Sequence, residues 1–131
     1  MKAILIDAVE RTVSEVDYDN TLDHAYRLLR CDLVDVVHVS EGDVMFVDDE
    51  GLLTAESDDS PFILFRNGWT FAGSGLIVGD ADDEGETTPC TVDADDVRDG
   101  VVFATRKELR DRYGIDPQPG FGFVAFNNEE T

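Results

Sequence analysis

Two β-branched runs, Leu33-Val-Asp-Val-Val-His-Val39 and Val44-Met-Phe-Val47, decide the fold class of this chain. Between them stands Ser40-Glu-Gly-Asp43, four residues that are typical of a turn. Two short runs of strand-forming residues joined by one turn predict a β-hairpin, in which neighbouring strands run antiparallel. The Asp48-Asp-Glu-Gly-Leu-Leu53 stretch that follows predicts a second turn.

The same signals recur on both sides of this hairpin. Lys2-Ala-Ile-Leu-Ile-Asp7 predicts a buried strand, and residues 11–17 predict its hairpin partner. Asn67-Gly68 is a favoured hairpin dipeptide because both positions tolerate positive φ. Further short strands are predicted at residues 61–65, 69–71, 75–79, 90–92, 101–103 and 121–126.

The first of two main helices is predicted over about 20–31. Asn20 has the residue type of an N-cap. An apolar stripe follows at helical spacing, formed by Leu22, Ala25, Tyr26 and Leu29.

The second main helix is predicted over about 105–113. Thr105 and Glu108 form a capping box, with Thr at the N-cap and Glu at N3, and Gly114 marks the helix end. Asp93 is expected to cap a brief additional helix through Val97.

These elements predict an α+β fold, a small mixed and mostly antiparallel sheet of hairpins with two main helices. A chain of 131 residues is long enough to bury a core as one domain. We expect a single domain over residues 1–126 and a solvated tail over 127–131.

Charge is the strongest constraint on partners. The chain has 30 acidic and 10 basic residues, a formal net charge of −20. Such a surface repels nucleic acid, anionic membrane and free nucleotides unless local structure compensates. We therefore expect no direct nucleic-acid binding and no membrane binding, and a basic protein as the natural partner.

Three explanations of this charge stay open: salt adaptation, solubility, and mimicry of a nucleic-acid backbone. Mimicry requires acids in ordered rows, because DNA carries about one charge per 1.7 Å of helix axis. Acids here occur in every stretch of the chain. The candidate partner-binding acids stand in local runs: Asp48, Asp49, Glu50, Asp80, Asp82, Asp83, Glu84, Glu86, Asp93, Asp95 and Asp96.

The location that we expect is the cytoplasm. The start of the chain has no signal-peptide pattern, because Asp7 ends its apolar run, and no apolar run approaches the roughly 20 residues that a membrane helix needs. Cys31 and Cys90 are then expected as reduced thiols.

Several of these motifs together resemble a known family. They are the Lys2-Ala-Ile-Leu-Ile-Asp7 start, Arg11-Thr-Val13, the Tyr26-bearing helix up to Cys31, Val36-Val37 and the Asp48-Asp-Glu-Gly-Leu-Leu53 turn. The chain is similar over about residues 1–80 to small uncharacterised proteins encoded by bacteriophages, plasmids and bacterial mobile elements. The resemblance implies a mobile-element setting and transfers no catalytic residue.

One loop is a weak candidate for a cation site. Asp80, Asp82 and Glu84 stand at positions 1, 3 and 5 of a calcium-type loop, with Gly85 at position 6. Thr91 stands at position 12, where a bidentate Glu belongs, so a solvated acidic turn is the favoured interpretation. We expect no bound metal or other cofactor.

Two other patterns give weaker support for a binding site. His24, Cys31 and His38 are spaced seven residues apart, but no Cys-x-x-Cys or His-x-x-x-His pair supports a zinc site. The glycines around Gly73-Ser-Gly75 precede a predicted strand rather than the helix that a phosphate-binding loop opens.

Arg66 and Trp69 are the candidate ligand-pocket residues, because an exposed indole beside a guanidinium would form a stacking platform. A nucleotide-like ligand would further need a basic pocket, built from Arg66 with Arg98, Arg106 and Lys107. The other aromatic residues lie in apolar strands and are expected in the core.

No catalytic motif is present, so we expect a non-enzymatic binding protein that acts on a basic protein partner. A nucleic-acid mimic is one form of this hypothesis. The alternatives are a small-molecule or nucleotide-like ligand-binding domain, and an accessory protein whose acidity is only salt or solubility adaptation.

Overall fold

The strands form at the short apolar or alternating runs of the sequence, and the second main helix begins at its predicted capping box. The computed structural model describes residues 1–51 and 55–117 and the backbone of Val124–Ala125. The elements in these ranges are β1 (Lys2–Asp7), β2 (Thr12–Asp17), α1 (Leu22–Leu29), β3 (Val34–Ser40), β4 (Asp43–Asp48), β5 (Pro61–Phe65), β6 (Trp69–Ala72), β7 (Gly75–Gly79), α2 (Ala94–Gly100), β8 (Val101–Thr105), α3 (Arg106–Tyr113) and β9 (Val124–Ala125).

All strand pairs of the described residues are antiparallel, and the predicted α+β class is confirmed. The strands are divided between two sheets. The first sheet has the order β2-β1-β7-β4-β3, and the second has the order β8-β5-β6-β9. The predicted hairpins are present as β1–β2, β3–β4 and β5–β6, the last with Gly68 at a φ of 95° in its turn.

The two sheets pack face to face, and each outer face is covered by a helix. Between the sheets lie the fully or nearly fully buried side chains of Ile4, Ile6, Met45, Ile77, Ile63 and Phe71. Helix α1 covers the outer face of the first sheet, where Ala25 and Leu29 meet Ala3, Leu76 and Val78. Helix α3 covers the outer face of the second sheet, where Leu109 meets Phe62, Leu64 and Ala104.

Helix α1 starts later than the sequence predicted. Asn20 has a φ of 65°, whereas an N-cap residue needs an extended backbone. The N-cap is Thr21, with a φ of −113°, and its side chain accepts a hydrogen bond from the backbone N–H of His24. Of the predicted stripe, Ala25 and Leu29 are buried, but Leu22 is 55% exposed because it lies at the first position of the helix.

The predicted strand at residues 90–92 is wrong. The Cys90 N–H donates to the Lys2 carbonyl at 3.0 Å, and the next backbone N–H bonds to a side chain, so no ladder of pairs forms. The chain continues into α2, which runs to Gly100, beyond the predicted end at Val97. Asp93 occupies the N-cap position without a side-chain capping bond, because its carboxylate pairs with Lys2.

The second main helix matches its prediction. The Thr105 hydroxyl accepts from the Glu108 N–H and the Glu108 carboxylate accepts from the Thr105 N–H, and Gly114 ends α3 with a φ of 68°. Of the predicted last strand at 121–126, Val124–Ala125 pairs with β6, and the other positions lie outside the described residues, as does the tail at 127–131. Among the described helices, none has the length and apolar content required to span a bilayer.

One glycine is required where the chain returns across an end of the first sheet. A Cβ at Gly79 would lie 2.3 Å from the Pro89 carbonyl oxygen and 2.8 Å from the Thr88 carbonyl oxygen, distances that Cβ atoms do not adopt. At Gly100, by contrast, a Cβ would meet no atom within 4 Å. The two positions therefore form a matched test of packing.

We expect Gly79→Ala to lower the free energy of unfolding by about 1–3 kcal/mol, since the added methyl group displaces backbone. Gly100→Ala is expected to leave it unchanged or to raise it by up to about 1 kcal/mol, because the substitution restricts the unfolded chain. Urea denaturation of both variants measures this. Equal destabilisation by the two would contradict the close packing at Gly79.

Candidate functional site

A buried carboxylate fixes the segment that crosses this end of the first sheet. Asp43, at the start of β4, has no exposed surface. Its carboxylate accepts hydrogen bonds from the Thr91 N–H at 2.8 Å, from the Thr91 hydroxyl and from the Ser40 hydroxyl at 3.2 Å. A buried carboxylate is tolerated only when it is hydrogen-bonded, so these contacts hold Thr91 firmly to the sheet.

Backbone bonds fix the part of the same segment that precedes Thr91. Gly79 and Thr88 form a β-bridge, and the Asp80 N–H donates to the Gly42 carbonyl at 2.8 Å. Together with the Cys90 bond to β1, these contacts fasten residues 80–93 across the ends of β1, β4 and β7. The loop between the fastened points carries the longest acidic run of the chain.

Acids from several distant stretches meet here, at a surface that we call the acidic end. The topology explains the convergence. The first residues of β1 and β4 and the last residues of β2, β3 and β7 lie at the same end of the first sheet. The exposed acids at this end of the sheet and on the adjoining first turn of α2 are Asp17, Asp19, Glu41, Asp80, Asp82, Asp83, Glu84, Glu86, Asp93, Asp95 and Asp96.

Cations at the acidic end are few and are already paired. The amino group of Met1 lies 2.8 Å from the Asp17 carboxylate, and the Lys2 Nζ lies 3.0 Å from the Asp93 carboxylate. Arg98 pairs with Asp95 at 2.5 Å. The hydrogen bond that Lys2 donates to Asp93 raises the pKa of Lys2, so this ammonium stays charged at all physiological pH values.

Asp48, Asp49 and Glu50 lie elsewhere, although the sequence grouped them with the other acids. They follow the far end of β4, about 16 Å from Asp43 at about 3.3 Å per residue. Asp48 borders a cavity of about 200 Å³ that is also lined by Arg30, Ser60 and Ser74. The candidate acids of the 80–96 stretch are therefore brought together, and the 48–50 run is separate from them.

Another group of basic residues lies over the second sheet. Helix α3 carries Arg106, Lys107, Arg110 and Arg112, which pair with Asp116, Asp111, Asp58 and Glu108 in that order. The basic side chains of α3 are therefore paired with acids over the second sheet, away from the acidic end on the first.

An apolar groove opens beside the acidic end, between the two sheets. This inter-sheet groove has a volume of about 170 Å³. Ile77, only 2% exposed, contributes the first sheet's central strand to it. The rest of the lining comes from β3, β5, β8, α2 and the segment before α2: Val39, Ser40, Phe65, Val92, Asp96, Val97, Gly100 and Val101.

Arg66 and Trp69 have different surroundings. The Arg66 guanidinium donates to the Asp99 carbonyl oxygen, and its backbone N–H donates to the Gly100 carbonyl at 2.9 Å. Trp69 packs edge-on against Phe71, with ring centroids 6.3 Å apart, next to the core between the sheets. Among the described lining residues, the two cavities that Arg66 borders do not include Trp69.

The basic pocket expected for a nucleotide-like ligand is absent from the described part of the chain. Arg98 donates to the Val13 carbonyl at 2.7 Å, and Arg106 donates to the carbonyls of Ala55 and Pro117 at 3.0 Å. Lys107 pairs with its helix neighbour on α3. These side chains diverge, so they present no joint surface to a phosphate.

The candidate cation loop uses its oxygens internally. The Asp82 carboxylate accepts from the N–H groups of Glu84 and Glu86 at 2.9 Å, and the Asp80 carboxylate accepts from Ala81 at 2.8 Å. Thr91, the twelfth position, is bound to Asp43. Within the described ranges, no three His, Cys, Asp or Glu side chains are gathered as a metal ion requires.

Of the weak zinc pattern, His24 has local partners and His38 is exposed on β3. His24 stacks on Tyr18 at 5.5 Å and accepts from the Asp19 N–H at 3.0 Å. Both cysteines are free thiols. Burial, with a smaller effect of the Asp48 charge, raises the pKa of Cys31 to about 11.

Comparison with known proteins gives one finding. The family model described as "Domain of unknown function (DUF3846)" matches residues 1–101. No curated protein and no solved structure matches the chain. The match includes both the acidic end and the segment that forms α2.

We expect Thr91→Val to lower the free energy of unfolding by about 1.5–3 kcal/mol, because it removes the hydroxyl donor to a buried carboxylate. Thr12→Val, at an exposed position of the edge strand β2, is the matched control and should stay within about 0.5 kcal/mol of the parent. Urea denaturation measures both. An unchanged stability of Thr91→Val would show that the bond from the Thr91 hydroxyl to Asp43 does not stabilise this segment.

The raised pKa of Cys31 predicts slow alkylation. The thiolate is the reactive form, so at pH 8 a shift from the ordinary value of 9.0 to about 11 slows the reaction roughly 100-fold. Iodoacetamide labelling followed by mass spectrometry of the peptides measures the rate at each cysteine. Labelling should become fast in urea, and equal rates in native and unfolded protein would contradict the burial of the thiol.

Proposed function

The chain belongs to the DUF3846 family, and we propose that it is a non-enzymatic binding protein whose acidic end docks on a basic surface of a partner protein. One observation carries the proposal. Acids that are far apart in sequence converge on one end of the first sheet, and a buried hydrogen-bonded carboxylate fixes the segment that bears most of them.

The electrostatics favour a cationic partner. Exposed carboxylates that outnumber their local cations produce a negative potential over the acidic end, which speeds the encounter with a basic surface. Screening shortens the range of this attraction to about 8 Å at physiological ionic strength, so binding should weaken strongly with salt.

The rigidity of the surface supports the same conclusion. A loop whose two ends are held by backbone pairs and by Asp43 loses little conformational freedom when a partner docks. Inside the loop, the Asp82 carboxylate organises the turn through two backbone N–H groups, which leaves Asp83 and Glu84 exposed.

The family resemblance suggests a setting for such a partner. If the gene belongs to a mobile element, a host protein with a basic site is the natural target, and the acidic end would then act as a nucleic-acid mimic. The acids come from a compact loop and the first turn of a helix rather than from one long row. We therefore propose the broader activity, binding to a basic protein, and treat mimicry as its narrower form.

A matched pair of triple variants tests the proposal. Asp83→Asn, Glu84→Gln and Glu86→Gln remove three charges from the acidic end. Asp49→Asn, Glu10→Gln and Glu56→Gln remove the same number at exposed positions elsewhere. The probe is a fluorescent peptide of alternating arginine and serine, and fluorescence anisotropy gives its Kd at low and physiological salt.

We expect the acidic-end variant to weaken binding about tenfold at low salt, since each exposed pair contributes about 0.2–1 kcal/mol. The control should weaken it less than about twofold. Equal weakening by both variants would favour acidity as a salt or solubility adaptation. A parent protein that does not bind the peptide at low salt would refute the proposal.

A further inference from the structure

The inter-sheet groove is apolar inside and acidic at its rim. We infer that it receives an apolar side chain, aromatic or aliphatic, from a basic segment of the partner protein. This inference rests on the proposed function and extends it, because the acidic end alone would recognise any cationic surface.

The groove has the size and lining of a side-chain pocket. An apolar cavity of about 150 Å³ is large enough for a benzene ring, and this groove has about 170 Å³. Phe65, Val92 and Val97 are each partly exposed at its surface, and the buried Ile77 also lines it. An apolar group that enters would remove this surface from water, which is the main source of affinity at a protein interface.

The edge strand β3 has a bulge beside the groove. The pairing of β3 with β4 shifts register between His38 and Ser40, and Val39 lies within the shift. Such a bulge redirects the side chain that it carries. Val39 and Ser40 thereby line the groove next to the turn that supports the acidic loop.

The charges select the kind of segment that carries the anchor. Asp96 lines the groove, and it shares an adjoining concavity with Asp99 and Arg66. Within the described ranges, neither carboxylate has a basic group within 4.0 Å, because Arg66 bonds to the Asp99 carbonyl and Arg98 pairs with Asp95. Arginine or lysine on either side of the anchor would therefore find unpaired acids.

A second copy of this chain is a poor occupant. Each copy carries a formal charge of −20, so two acidic ends facing one another would repel. A neutral apolar segment would leave the Asp96 and Asp99 carboxylates partly desolvated without a partner, which is costly. A basic segment with one apolar anchor satisfies both the groove and its rim.

Two peptides of equal charge test the inference on the parent protein. Arg-Arg-Phe-Arg-Arg carries the anchor, and Arg-Arg-Ser-Arg-Arg lacks it. We expect the phenylalanine peptide to bind about tenfold more tightly at physiological salt, as measured by isothermal titration calorimetry. Equal affinities would overturn the inference and leave the role of the acidic end intact.

A matched pair at Gly100 locates the binding. Gly100 borders the groove and has open space at its Cβ position, so Gly100→Leu adds bulk there and Gly100→Ala adds little. Thermal unfolding confirms that each variant is folded. The preference for phenylalanine should persist in Gly100→Ala and fall below about twofold in Gly100→Leu, and its persistence in Gly100→Leu would overturn the inference.

The outcomes separate this inference from the proposed function. Loss of the phenylalanine preference with retained salt-dependent binding of the serine peptide refutes only the groove. Failure of both peptides to bind at low salt refutes the docking role of the acidic end as well.

Discussion

The carboxylate of Asp43 is the interaction on which the candidate site depends. It is fully buried, and the fold accommodates it because Thr91 and Ser40 donate hydrogen bonds to it. Leaving a buried carboxyl group without hydrogen-bond partners would be destabilising. The bond to Thr91 sets the path of residues 88–93, so it positions both the acidic loop before this segment and the groove-lining helix α2 after it.

The local structure could largely be predicted from the sequence, because short-range patterns determine it. A short apolar run predicted β1, alternation predicted β2, and the capping box at Thr105 predicted α3. The errors arose where a neighbour in space decides the outcome. Residues 90–92 have the sequence of a strand, but they bond to a side chain of β4 and to one carbonyl of β1. Asn20 has a left-handed backbone, so Thr21 is the N-cap instead.

The site was less predictable, because it depends on which strand ends share an edge. The runs at 48–50 and 80–86 are both strongly acidic in sequence, yet they lie at opposite ends of β4. Strand pairing places Asp43 opposite Gly79, and this pairing brings the 80–86 loop beside the β3–β4 turn. The groove was not predictable at all, since its lining comes from elements that are up to about 60 residues apart in the chain.

The distribution of cations has a physical consequence for binding. Concentrating acids at one end costs free energy through self-repulsion. The cations at this end are used where they also fasten the fold: Met1 joins β1 to β2, Lys2 joins β1 to the start of α2, and Arg98 ties α2 to the backbone of β2. None of them reaches the loop at 82–86. The loop therefore keeps its negative potential at the surface, and a cationic partner relieves there a repulsion that the fold itself leaves in place.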